Sequence, residues 1–246
     1  MTKHSSTPSP RESGNVMIYI FLAIAMFAAL SFAVANIMKS GTGDPNREVM
    51  QLQSTDLIQY ADALKRGVQS MKIRSLEDNQ ISFEVNTLTG YTPHPSCSDD
   101  SCRLFRPNGG GISYVPPPED WLDQAHIAQP LSGQWYFPTG VCVQDVGMGS
   151  TGCESDTEDN EELIAVLPYI RRDLCIQIND RLGIANPGGE PPQAIGPAWP
   201  VGNPKFRGTY TEEAIIARSG QMAGCLRGSG TPPSNSYFFY RVLLSR

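Results

Sequence analysis

The sequence predicts an α+β protein: an N-terminal transmembrane helix, then an amphipathic helix packed on an antiparallel sheet with disulfide-closed loops. Three observations predict it. Residues 16–38, VMIYIFLAIAMFAALSFAVANIM, carry no charge. Leu57, Ala61, Leu64, Val68 and Met71 recur at alternating spacings of four and three, the signature of one helical stripe. All six cysteines (Cys97, Cys102, Cys142, Cys153, Cys175 and Cys225) follow the uncharged run. With 246 residues the chain can bury a sizeable core, and its 23 glycines and 20 prolines predict many turns. A formal charge of -6 argues against nucleic acid as a partner.

Residues 1–15 are polar and are read as a cytoplasmic leader or tail, residues 16–38 as the transmembrane helix, and residues 39–246 as a periplasmic head domain. About 20 apolar residues cross a bilayer core, since each adds about 1.5 Å of helix. Lys3 and Arg11 precede the helix while Lys39 and Arg47 follow it, so the basic residues do not orient it. The cysteines do: an even set beyond the helix predicts disulfides in an oxidising compartment. No Asn-x-Ser/Thr sequon occurs, which favours a bacterial periplasm over a glycosylated ectodomain. The expected location is therefore the inner membrane, in a single pass, with the lipid bilayer as first partner. Ala25, Ala29 and Ala33 recur every fourth residue, a spacing that lets helix backbones approach closely in lipid.

Three fates of the helix stay open. It is an uncleaved anchor, a signal peptide cut after Ala33-Val34-Ala35, or a retained helix behind a leader cut between Gly14 and Asn15. A short basic leader ending in Gly14, followed at once by an apolar helix, resembles the leader of type IV pilins and pseudopilins. Asn15 stands where that family has Phe or Met, and Tyr19 where it has Glu. The resemblance implies removal of the leader, a helix that enters the core of an assembly, and other pilin-like subunits as partners. RPNGG (106–110), GQWYF (133–137), CIQIN (175–179) and NPGG (186–189) also resemble a family of bacterial single-anchor proteins that implies no activity.

Beyond the membrane, Gly41, Gly43 and Pro45 break the helix, and Asp44 is placed to cap a second one over residues 46–74. Alternation over Ile81–Val85 predicts a half-buried strand, and Leu104-Phe105 and Ile112–Val115 are short strand candidates. Gln134–Val146 reads as a hairpin turning at Pro138 and Gly140. Glu158–Leu182 reads as a helix kinked or begun at Pro168, with Gly183 as its C′ residue. Residues 186–208 read as an irregular loop, and Tyr237–Leu244 as a central strand.

Six cysteines permit 15 pairings, and spacing favours one set. Cys97 with Cys102 and Cys142 with Cys153 close turn-rich segments locally, which leaves Cys175 with Cys225. Structural zinc would favour Cys-x2-Cys knuckles, and none occurs, although His94 lies near one pair. No cofactor or metal is expected.

Catalytic motifs are absent: no G-x-S-x-G, H-E-x-x-H, phosphate-binding loop or Cys-x-x-Cys is present. His126 with Asp120 and Asp123 lacks a nucleophile elbow and is read as a solvated turn. Gly109–Gly111 reads as a turn, not a phosphate cradle. The acidic run Glu154, Asp156, Glu158, Asp159, Glu161 and Glu162 offers oxygen ligands for Ca²⁺ or, alternatively, opens a helix. Trp121, Trp135, Tyr136 and Trp199, flanked by Pro and Gly, suggest a carbohydrate platform. The expectation is a non-enzymatic, membrane-anchored, pilin-like structural subunit, with a tethered or secreted periplasmic binding module as the alternative.

Overall fold

The computed structural model describes residues 15–40, 45–147, 153, 161–211 and 214–246. Gly14, the break at residues 41–44 and most of the acidic run lie outside the described residues. The chain divides into two units, residues 1–48 and 49–246.

The first unit is dominated by helix α1 (Asn15–Ser40). Its stretch Met17–Asn36 is long and apolar enough to cross a membrane, and none of it is buried. Ala25, Ala29 and Ala33 are all exposed along it.

Helix α2 (Pro45–Ile73) carries the chain into the second unit, with Pro45 as its first residue. Leu57, Ala61, Leu64, Val68 and Met71 are fully buried, as the stripe spacing requires. They share one apolar cluster with Leu163, Ala165, Leu167, Phe239 and Leu243 of the sheet. Asp62 and Arg241 form an ion pair at 2.6 Å, tying α2 to the central strand.

The sheet holds β2 (Leu163–Ile170), β4 (Ala223–Arg227) and β5 (Tyr237–Leu244), antiparallel in the order β2-β5-β4. A separate parallel pair joins β1 (Cys142–Val143) to β3 (Ile215–Ile216). β5 is central, as its aromatic and β-branched composition predicts. Alternate residues divide the apolar core in two. Leu163, Ala165 and Leu167 face the α2 cluster, while Ile164 and Val166 join a second cluster around Tyr136, Trp199 and Phe238.

The helix expected over Glu158–Leu182 is two elements: strand β2 and helix α3 (Arg172–Leu182). A strand covered on both faces needs no polar alternation, so LIAVLPYI fits a buried strand as well as a helix. Pro168 is tolerated because Val166, two residues earlier, sends its N–H away from β5 to the Tyr136 carbonyl at 2.8 Å. Pro168 shares that direction, so its missing N–H costs no bond to β5. The strand then bulges at Tyr169, whose φ of +57° places it in the left-handed region. Gly183, at φ +71°, ends α3 as expected.

The Gln134–Val146 hairpin is not formed. Tyr136 pairs with Val166, Val141 with Glu162, Pro138 with Lys205, and β1 with β3. Pairing is non-local because the segment closes the outer edge of β2. Ile81–Val85, Leu104-Phe105 and Ile112–Val115 are not regular strands; only Ser82 bridges, to Arg103. Ile81–Glu84 is wholly buried, so alternation there marked no solvent face. Residues 186–208 are irregular apart from one short 3-10 turn.

Both edges of the three-stranded sheet are covered. Arg227 of β4 bonds backbone to backbone with Pro192 and Ala194 at 2.9 and 2.8 Å. Cys225, also on that edge, is met by the Asn179 side chain. Covered edges leave no open ladder for another strand.

Candidate functional site

The six cysteines form three disulfides: Cys97–Cys102, Cys142–Cys153 and Cys175–Cys225. No thiolate is left for a metal, which removes the zinc reading. Cys175–Cys225 staples α3 to β4, where Asn179 lies one turn further along the helix.

RPNGG builds a turn. Gly110 N–H donates to the Arg103 carbonyl at 3.1 Å, and the Gly109 and Gly111 N–H groups donate to the Arg106 carbonyl at 3.0 and 2.9 Å. A Cβ on Gly109 would collide with the Arg103 carbonyl oxygen, so only glycine fits. These N–H groups are spent inside the turn, which leaves no phosphate cradle. Beside it, a 370 Å³ recess is lined by Glu84, Thr89, Thr92, Arg103 and Arg106. Its charges are satisfied internally. Glu84 accepts from His94 N–H at 3.0 Å and Arg103 Nε at 2.8 Å, while Arg103 also bonds Asp100 at 2.7 Å. Burial holds the His94 imidazole pKa below its ordinary value.

His126 is buried, not solvated. Its Nδ1 lies 2.9 Å from Asp123 Oδ2, and its ring stacks on Tyr169 at 5.6 Å. Asp120 instead accepts from Gln53 at 2.5 Å. Among the described residues no serine or cysteine nucleophile bonds to His126, so the group packs and caps a turn.

Glu161 and Glu162 are both buried at the start of the sheet and open no helix, which corrects the helix-terminus reading for these two. Glu162 Oε2 accepts from the Val143 N–H at 2.7 Å, joining β1 to β2. Burial is the largest influence on Glu162 and pushes its carboxyl up to about 7. Among the described residues no group of three metal-ligating side chains occurs.

The carbohydrate platform is not formed. Trp121, Trp135, Tyr136 and Trp199 are all buried, Trp135 and Trp199 to within 1% of full burial. Pro- and Gly-rich flanks suggested exposed loops, but those loops fold over the sheet. Tyr136 and Trp199 pack edge to face at 5.9 Å on its second side. A partly open aromatic feature does occur among the described residues, built from residues far apart in sequence. Tyr60 of α2, Pro116–Pro118, Trp121 and Trp135 line a groove of 240 Å³ with Asp56 at its edge.

Comparison with protein-family models, characterised proteins and solved structures finds no match. The reading of this chain therefore rests on its own residues.

Proposed function

We propose that the chain is a membrane-anchored, pilin-like structural subunit of a bacterial envelope filament or secretion-type assembly. It sits in the inner membrane in a single pass, carries its head in the periplasm, and acts by assembly, not catalysis. The observation that carries this reading is α1: Met17–Asn36 is uncharged, spans a bilayer in length, and buries nothing within the chain. Such a surface is stable only in lipid or against other apolar helices. Ala25, Ala29 and Ala33 offer the close approach that helix pairing in lipid uses.

Two features of the head agree. Three disulfides suit an oxidising compartment. Covered sheet edges disfavour assembly by strand addition and leave the helix as the means of joining copies. The test is carbonate extraction combined with cross-linking. Wild-type protein stays with membranes and cross-links to itself; Ala29→Leu keeps insertion but loses most of the cross-linked species. Protein released by carbonate would refute the anchor.

The second reading, a tethered or secreted periplasmic binding module, draws its support from the groove beside Tyr60.

A further inference from the structure

The groove between α2 and the 115–118 segment has a composition that selects its occupant. Its wall is a proline run, Pro116–Pro118, and Pro118 lies at φ -59°, ψ 145°, the polyproline II conformation. Trp121, Trp135 and Tyr60 line the rest. Tyr60 is locked by its hydroxyl, which accepts from Val115 N–H at 2.9 Å and donates to the Ser113 carbonyl at 3.2 Å. Its ring packs on Trp135 at 5.4 Å. The aromatic wall is therefore preformed.

The polar groups are one-sided. Trp199 donates its indole N–H to Asn203 at 2.8 Å, whereas the indoles of Trp121 and Trp135 meet no acceptor among the described residues. Asp56 is exposed at the edge, and Glu119 is exposed just beyond the proline run. Among the described residues neither is ion-paired. Among the described residues the groove lining thus holds no cation, and Asp56 is its one charged side chain beside apolar and aromatic groups.

We propose that this groove binds an extended, proline-rich segment of a partner protein that carries an arginine or lysine. Prolines of a polyproline II strand pack on the half-buried Tyr60 ring and the exposed Pro116 and Pro118 at little entropic cost, its carbonyls accept from indole N–H groups, and its cation pairs with Asp56. A neutral sugar is less suited, because it brings no cation to the exposed Asp56. The inference does not depend on how the N-terminal helix is processed.

The test is calorimetric titration of the full chain in detergent with a synthetic oligoproline carrying one central arginine. Saturable binding is expected, weakened about fivefold by Asp56→Lys, the scale of an exposed ion pair, and kept by Asp56→Glu. Asp56 is exposed, so neither variant threatens the fold. A peptide with glutamate for arginine should bind more weakly than the parent, and one with glycine and serine for proline should not bind. No saturable binding, proline-independent binding, indifference to Asp56→Lys, or saturable binding of a chito-oligosaccharide in place of the peptide would each overturn the proposal.

Discussion

Asn179 and Cys225 exchange two hydrogen bonds: Asn179 Nδ2 donates to the Cys225 carbonyl, and the Cys225 N–H donates to Asn179 Oδ1, both at 2.9 Å. A side-chain amide thus stands in for a neighbouring strand, and it does so beside the Cys175–Cys225 disulfide. The same amide also donates to Asn186 Oδ1 at 2.9 Å. One residue therefore covers the β4 edge at Cys225 and anchors the loop after α3.

Asn179→Ala strands the buried N–H and C=O of Cys225. Each buried unsatisfied group costs about 1–3 kcal/mol. Urea denaturation should show a loss of about 2–5 kcal/mol, and Asn179→Leu, similar in size, should do no better. An unchanged midpoint would show that water replaces the amide.

Cys225→Ser opens the longest disulfide loop, 50 residues of separation against 5 for Cys97–Cys102. It should cost about 2–5 kcal/mol, the usual range for a native disulfide, and Cys97→Ser should cost less. Denaturation midpoints of the two variants decide the order, and thiol labelling of unreduced wild-type protein should find no free cysteine.

Glu162 sets a pH dependence. Burial raises its folded carboxyl to about 7 from the ordinary 4.5. Between those values the folded state holds the proton more tightly than the unfolded chain. The contribution is fully present below the unfolded value and is lost as pH rises through about 7. Glu162→Gln, which keeps an acceptor for the Val143 N–H, should flatten this decline in urea midpoints measured between pH 5 and pH 8. A decline of equal slope in the variant would assign it to another group.

Gly109→Ala pushes a methyl into the Arg103 carbonyl. Backbone must shift, at a cost of about 1–3 kcal/mol. Thermal melts of this variant against Gly188→Ala, where a Cβ has open space but φ is +67°, separate collision from backbone strain, since Gly109 itself has no positive φ.

Much of the frame was legible because its signals are periodic and local. The α2 stripe from Leu57 to Met71 and the run Tyr237–Leu244 each match a single template. Of the 15 pairings six cysteines permit, the set that short loops favour is the one formed. β2 was illegible because both of its faces are covered: Leu163, Val166, Leu167 and Ile170 fall at helical spacings within a strand. Residues 134–146 misled because Tyr136 and Val141 find partners at Val166 and Glu162, not across a local turn. The groove was hidden for the same reason, since Tyr60, Pro116 and Trp135 meet only after folding.

The central claim is that α1 stays in the working protein, and the N-terminal sequence of mature chain recovered from membranes tests it most directly. The account predicts a chain beginning at Asn15, with Val16–Met38 intact, in the membrane fraction. Soluble periplasmic protein beginning at Asn36 would make the helix a signal peptide and contradict the account.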